Sequence, residues 1–143
     1  EDSYEMAVEW IARGDLEKAE ALLKKSVLLN PHFIYAYITL AGLHARRKRY
    51  SDAIGVLRRA LREDPSFHRL HYLIAKYAYR MNNGPLARRH IRAARESAPG
   101  EELYRRALGA PGVAPASAVS DRRTRPQVLQ MEPWLRFSRT RPS

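Results

Sequence analysis

Cysteine is absent from this 143-residue chain. That removes a disulfide framework, a thiolate metal centre and a cysteine nucleophile, and it fits a reducing and an oxidising compartment equally well. No apolar run approaches the ~20 residues of a membrane-spanning helix, and no basic-then-apolar leader opens the chain; the sequence leaves the compartment open and favours the cytoplasm slightly. Glycine is scarce, with 7 residues, and none builds a phosphate-cradling loop or a Gly-x-Ser-x-Gly elbow. The histidines, His32, His44, His68, His71 and His90, do not stand at a His-Glu-x-x-His spacing. His68 and His71 are three apart on one helix, with no carboxylate or third ligand beside them in sequence. The expectation is a chain with no enzymatic activity, no metal and no cofactor.

Acidic residues are the other shortage. Against 26 Lys and Arg there are 15 Asp and Glu, a formal net charge of +11. The imbalance is not uniform. Residues 1–33 carry 4 basic and 7 acidic side chains, residues 34–67 carry 7 and 3, and residues 68–101 carry 7 and 2. The chain is acidic at its start and basic beyond, and such a field steers partners of opposite sign.

What is present is a period. Pro31, Pro65 and Pro99 recur at 34-residue intervals, and so do Ala7, Ala41 and Ala75, and Ala19, Ala53 and Ala87. Self-similarity at this length marks stacked supersecondary units. Each unit reads as two helices. In the second, Tyr37, Leu40, Ala41 and His44 fall at helical spacing, a break follows at Arg47-Lys48-Arg49, and Ala53, Ile54, Leu57, Ala60 and Leu61 form the second helical face. The first unit uses Met6, Ala7, Trp10 and Ile11, a turn at Gly14-Asp15, then Ala19, Leu22, Leu23 and Val27. The third uses Tyr72, Ile74, Ala75 and Ala78, a turn at Asn82-Asn83-Gly84, then Ala87, Ile91 and Ala94. A residue before proline is pushed out of the helical region, so the second helices should end near Asn30, Asp64 and Ala98. Pro85 suits the first turn of its helix, where the missing N–H costs nothing. The recurrent alanines allow close helix crossings.

These units resemble the tetratricopeptide repeat family: 34 residues, helix-turn-helix, small residues at fixed positions and a closing proline. Gly14-Asp15-Leu16-Glu17-Lys18-Ala19 and Tyr50-Ser51-Asp52-Ala53 are similar to its inter-helix turn. The resemblance covers residues 2–100 and departs at Ser3, Tyr37 and His71, where the family often has tryptophan. It implies an all-α fold, an α-solenoid of three repeats at 1–33, 34–67 and 68–100. A capping helix at 101–108 is expected to follow, its acids first and arginines last in the sense that suits the helix dipole.

The resemblance also implies a concave groove lined by the first helix of each unit. Its residues would be Tyr4, Val8 and Ile11, then Tyr35, Ile38 and Arg46, then Arg69, Tyr72, Lys76, Tyr79 and Arg80. Tyrosine offers contact area at low entropy cost, and arginine pairs bidentately with carboxylate. The expected partner is a protein or peptide with apolar anchors and acidic residues. Co-chaperone members hold a C-terminal carboxylate with a lysine, two asparagines, a lysine and an arginine. The matching positions here are Tyr4, Val8, Thr39, Arg69 and Leu73, of which Arg69 alone suits, so a chaperone-tail carboxylate clamp is not expected.

Past residue 108 the composition shifts. Residues 109–127 are rich in small residues and proline and read as a flexible linker. Residues 128–143 hold an apolar island with Met131, Trp134, Leu135 and Phe137 inside a basic background. Such islands act as short recognition motifs, and the linker is long enough for this one to reach the chain's own groove. Opening on Glu1-Asp2-Ser3 at the edge of a repeat, the chain is expected to be processed or part of something longer. The reading is a protein-interaction scaffold or adaptor. Two alternatives stand beside it. One is a basic surface on the second helices (Arg58, Arg59, Arg88, Arg89, Arg92, Arg95) binding nucleic acid or anionic membrane. The other is a non-catalytic positioning module of a larger enzyme or envelope complex.

Overall fold

Each closing proline does what its chemistry requires. In the computed structural model, which describes residues 2–109, α2 ends at Leu29, α4 at Glu63 and α6 at Ser97. Asn30, Asp64 and Ala98, the residues before proline, serve as C-caps with extended backbone, and their N–H groups bond to Ser26, Ala60 and Ala94. The described residues form seven helices and no strand: α1 (Asp2–Arg13), α2 (Leu16–Leu29), α3 (Ile34–Arg46), α4 (Tyr50–Glu63), α5 (His68–Arg80), α6 (Gly84–Ser97) and α7 (Glu102–Leu108). This is the all-α repeat fold expected. Residues 110–143, with most of the linker and all of the apolar island, lie outside the described residues.

The turn inside each pair repeats to the residue. Gly14, Lys48 and Asn82, 34 apart, all take left-handed backbone, with φ of 88°, 61° and 63°. One residue on, the N–H groups of Asp15, Arg49 and Asn83 reach back to the carbonyls of Trp10, His44 and Ala78 at 2.8–2.9 Å. That six-residue span closes the first helix in a Schellman turn. The same residue then opens the second helix. The carboxylate of Asp15 accepts from the Lys18 N–H and the Asn83 side-chain oxygen from the Leu86 N–H, whereas Arg49 supplies no side-chain cap. The middle turn therefore carries two local penalties, a lysine in left-handed backbone and a cap residue with no acceptor. Lys48→Gly together with Arg49→Asp is expected to raise stability by about 1–2 kcal/mol, most of it from the cap. A denaturation midpoint unchanged or lowered in the double variant would contradict this.

The chain divides into two compact units, Glu1–Leu70 and His71–Ser143. Within the first, α1 packs on α2, α2 on α3 and α3 on α4. Ala7, Ala19, Ala41 and Ala53 have no exposed surface, so the helix axes approach where these small side chains meet, with Leu23, Leu40 and Leu57 filling around them. Tyr37 is 3% exposed and is part of this core. Its burial, with the Glu63 carboxylate nearby, pushes the phenol above its ordinary range, while Arg59, 5.8 Å from the ring centroid, opposes the shift. Within the second unit, Ala75, Ala87, Ile91 and Ala94 are fully buried, and α7 packs on α6 and lays Tyr104 against Tyr72, with ring centroids 5.7 Å apart.

The loop between pairs is equally regular. The N–H groups of Phe33, Phe67 and Glu101 bond to the carbonyls of Asn30, Asp64 and Ala98. The third copy of that loop launches α7, which thus begins as a further first helix and stops after seven residues. Glu102 and Arg105 pair along its exposed side.

Candidate functional site

Aromatic rings line one edge of the first unit. Tyr4 meets Phe33 edge to face with centroids 5.0 Å apart, Phe33 meets Tyr35 at 6.2 Å, and Tyr35 meets Phe67 at 6.3 Å. These are the tilted geometries that ring quadrupoles favour. The Tyr4 hydroxyl shares a hydrogen bond with the Thr39 hydroxyl at 3.3 Å, which ties α1 to α3 and fixes the ring. Phe33 and Phe67 hold the row at the loop positions just ahead of α3 and α5. Tyr35 nevertheless keeps 56% of its surface exposed and Val8 keeps 44%. Ile11 and Ile38 are half-buried, and the guanidinium-bearing Arg46 and Arg69 are exposed. The first unit thus presents an apolar and aromatic strip that ends in exposed positive charge.

In the second unit, the residues expected to line the same groove stand differently. Tyr72, Lys76 and Tyr79 are 2%, 8% and 8% exposed, while Arg80 is exposed. The Lys76 ammonium lies 5.3 Å from the centre of the Tyr77 ring. His71, which the sequence pairs most readily with His68, instead stacks on His90, with their Nδ1 atoms 3.0 Å apart. Burial lowers the His71 pKa, and the pair joins α5 to α6. Among the described residues, no three His, Asp or Glu side chains come together in a way that could hold a metal ion.

The other face of the first unit is mixed in sign. A cleft along α2 and α4 is lined by Lys24, Arg49, Arg59 and Arg62, with Glu20 and Asp52 set among them. Glu20 holds Lys24 at 3.0 Å and Arg47 at 2.9 Å. Burial alone would raise its pKa, but the Lys24 hydrogen bond and the charges of Lys24, His44 and Arg47 outweigh burial and lower it. The cations of this face are therefore partly spoken for by neighbouring carboxylates. No described helix is long and apolar enough to cross a membrane.

Sequence reasoning missed Phe33 and Phe67, and it met Thr39 only as a position of the carboxylate clamp, not as a partner of Tyr4. Two of them were within reach, since Phe33 and Phe67 stand 34 apart and each lies two residues after a periodic proline. Thr39 gave no signal, because its role depends on a hydroxyl 35 residues away.

Two overlapping stretches, residues 11–77 and 45–110, match the sequence profile of the tetratricopeptide repeat. Among curated proteins, none matches the chain in sequence. Several solved structures share the fold. The type III secretion chaperone SycD of Yersinia enterocolitica, in complex with a peptide of the translocator YopD, superposes with a TM-score of 0.65 at 14% identity, over 96% of this chain and 92% of that one. The RS-1 MamA ArsTM double mutant gives 0.65 at 18% identity, over 98% and 76%. PcrH bound to the chaperone binding region of PopD gives 0.62 at 14% identity, over 92% and 91%.

Proposed function

The chain belongs to the tetratricopeptide repeat family, and from that premise we propose that it is a non-catalytic scaffold or adaptor, which holds a peptide segment of a partner protein against the faces of its first helices. The observation that carries this reading is the row Tyr4, Phe33, Tyr35 and Phe67, continuous in ring contact yet open at Tyr35. Tyr35 stays 56% exposed while its ring is held against those of Phe33 and Phe67, an exposed aromatic patch of the kind that marks interaction sites. A ligand that covers them gains apolar burial without first ordering the receptor. Arg46 and Arg69 add bidentate donors for carboxylates. The matching ligand is an extended or helical peptide with apolar anchors and at least one acid. That SycD is seen with a peptide of the translocator YopD, and PcrH with the chaperone binding region of PopD, supports the class of ligand; at 14% identity it does not name the ligand of this chain.

Affinity for such peptides lies near the micromolar range, about 8 kcal/mol. The test is selection from a random peptide display library on the full chain, followed by titration of enriched peptides into the wild type and Tyr35→Ala. The enriched sequences should pair apolar anchors with Asp or Glu, and Tyr35→Ala should weaken them about 10- to 30-fold, as expected of a central aromatic anchor. Enrichment of nothing, or of peptides indifferent to Tyr35→Ala, would defeat the proposal.

A further inference from the structure

Within the first unit, α2 and α4 both pack on α3, yet they do not close over it. Between them runs a cleft of about 810 Å³, floored by Leu40 and His44 of α3, in the size class of ligand sites rather than of a single ion. Its walls are two helical stripes. Glu20, Lys24, Val27 and Leu28 line it from α2, and Ser51, Gly55, Arg59 and Arg62 line it from α4, each set at the spacing of one helix face. Three features of this cleft serve no purpose in the fold itself. Leu28 is 75% exposed beside Val27 and Val56, so one wall carries an open apolar patch. Gly55 stands in the interior of α4, where glycine is a weak helix former. A Cβ at Gly55 would meet nothing within 4 Å, so helix packing does not call for a glycine there. His44 is 8% exposed, and its Nδ1 is buried with no hydrogen-bond partner among the described residues, which native folds seldom keep. The charges are also unevenly engaged. Glu20 holds Lys24 and Arg47, whereas Arg49, Arg59 and Arg62 are exposed and enter no salt bridge among the described residues.

We propose that this cleft is a second binding site, separate from the first-helix strip, which takes an acidic peptide segment of a partner protein carrying one bulky apolar side chain. The apolar side chain enters at Gly55, where the missing Cβ leaves room against Val27, Leu28 and Val56. Carboxylates to either side meet Arg49 at one end of α4 and Arg59 and Arg62 toward the other, in the bidentate geometry that guanidinium favours. Helical rise sets the spacing. At 1.5 Å per residue, Arg49 lies about 9 Å and Arg62 about 10 Å from Gly55 along the axis. An extended peptide covers that distance in about three residues. The matching pattern is therefore one acid three positions before the apolar residue and one three positions after it. A backbone amide of the segment, laid along the floor, offers His44 a hydrogen-bond partner. The same charges disfavour other polyanions. Asp52 stands among the arginines and Glu20 on the facing wall, and both repel a phosphate backbone, which carries a charge at every nucleotide. A peptide instead places acids only opposite the arginines and a neutral stretch opposite Asp52. A flat anionic bilayer does not reach a floor recessed between two helices.

The test titrates fluorescein-labelled synthetic peptides into the full chain and follows polarisation. Each peptide has leucine at its centre and one aspartate two, three or four positions to either side. The three-position peptide should bind with a Kd of about 100 μM, and its leucine-to-serine version about tenfold more weakly. Gly55→Leu fills the entry with a side chain for which the helix has room. It should weaken binding by about tenfold or more, with unchanged helical circular dichroism as the folding control. Arg59→Ser/Arg62→Ser should weaken it by about tenfold and flatten its salt dependence. Tyr35→Ala should leave this affinity unchanged, which separates the cleft from the first-helix strip. A peptide that loses affinity in Tyr35→Ala but not in Gly55→Leu sits on the strip and overturns the proposal while sparing the strip. Amide shifts of the wild type on peptide addition should centre on Lys24, Leu28, His44 and Gly55, so the site is located without relying on any variant. Shifts elsewhere, or no binding by any peptide of the set, overturn the proposal. So does an oligothymidine strand or a phosphatidylserine vesicle that binds more tightly than the peptides and is released by Gly55→Leu.

Discussion

Leu57→Ala should destabilise the first unit by about 2–5 kcal/mol, the range for deleting a buried leucine side chain and leaving a cavity. Leu57 has no exposed surface, and Ala53 and Ala60 lie one turn to either side of it, also fully buried. Those alanines mark close backbone approach, so the surrounding helices have little room to collapse into the space left behind. The cost should therefore fall in the upper half of the range. A domain of this size holds only about 5–15 kcal/mol in total, so the variant is expected to lose a large share of its folded population on modest heating. The measurement is the urea midpoint by circular dichroism, with Leu57→Met as the control that keeps volume and should cost less than about 1.5 kcal/mol. Equal losses in the two variants would mean that side-chain shape rather than the cavity governs the site.

The second large effect concerns Glu20. Its carboxylate accepts from Arg47 and pairs with Lys24, and the Glu20 and Arg47 side chains are only 16% and 24% exposed. Glu20→Ala leaves two cations and His44 without their shared counter-charge, and a loss of about 1.5–3 kcal/mol is expected, as for hydrogen bonds to charged groups. The pH dependence follows from the lowered pKa. A carboxyl whose folded pKa lies below its unfolded value of 4.5 binds protons more readily in the unfolded chain. Its contribution is therefore fully present above about pH 4.5 and is lost as the pH falls through the folded value. Wild type and Glu20→Gln should differ at neutral pH and converge at strongly acidic pH. Parallel stability curves down to pH 3 would show that Glu20 is not held in its charged form by these partners.

The fold was almost fully legible in the sequence, and the reason is physical. Period, closing prolines and recurrent alanines are local signals repeated three times, and the residues that end each second helix are the ones that the chemistry of proline singles out. The left-handed turns were less visible. Gly14 and Asn82 are residues that favour such backbone, but Lys48 is not, and register alone connects it to them. The site was legible only in part. Tyr4, Val8 and Tyr35 could be placed on first helices by register, and they stand exposed or half-buried on that side. Tyr72, Lys76 and Tyr79 occupy the same register but are buried. Periodicity fixes which way a side chain leaves its helix; it does not reveal how deeply that side chain is buried. The His71–His90 pair shows the same limit, since two rings 19 residues apart meet because α5 and α6 fold back on each other.

The three left-handed turns make the hairpins unequal along the chain. Gly14, Lys48 and Asn82 carry out one geometric task with three side chains of unequal aptitude. The middle hairpin has neither the permissive residue nor the capping acceptor that its neighbours have in part or in full. Breathing motions of the folded chain should accordingly begin where α3 turns into α4, between the two better-closed hairpins.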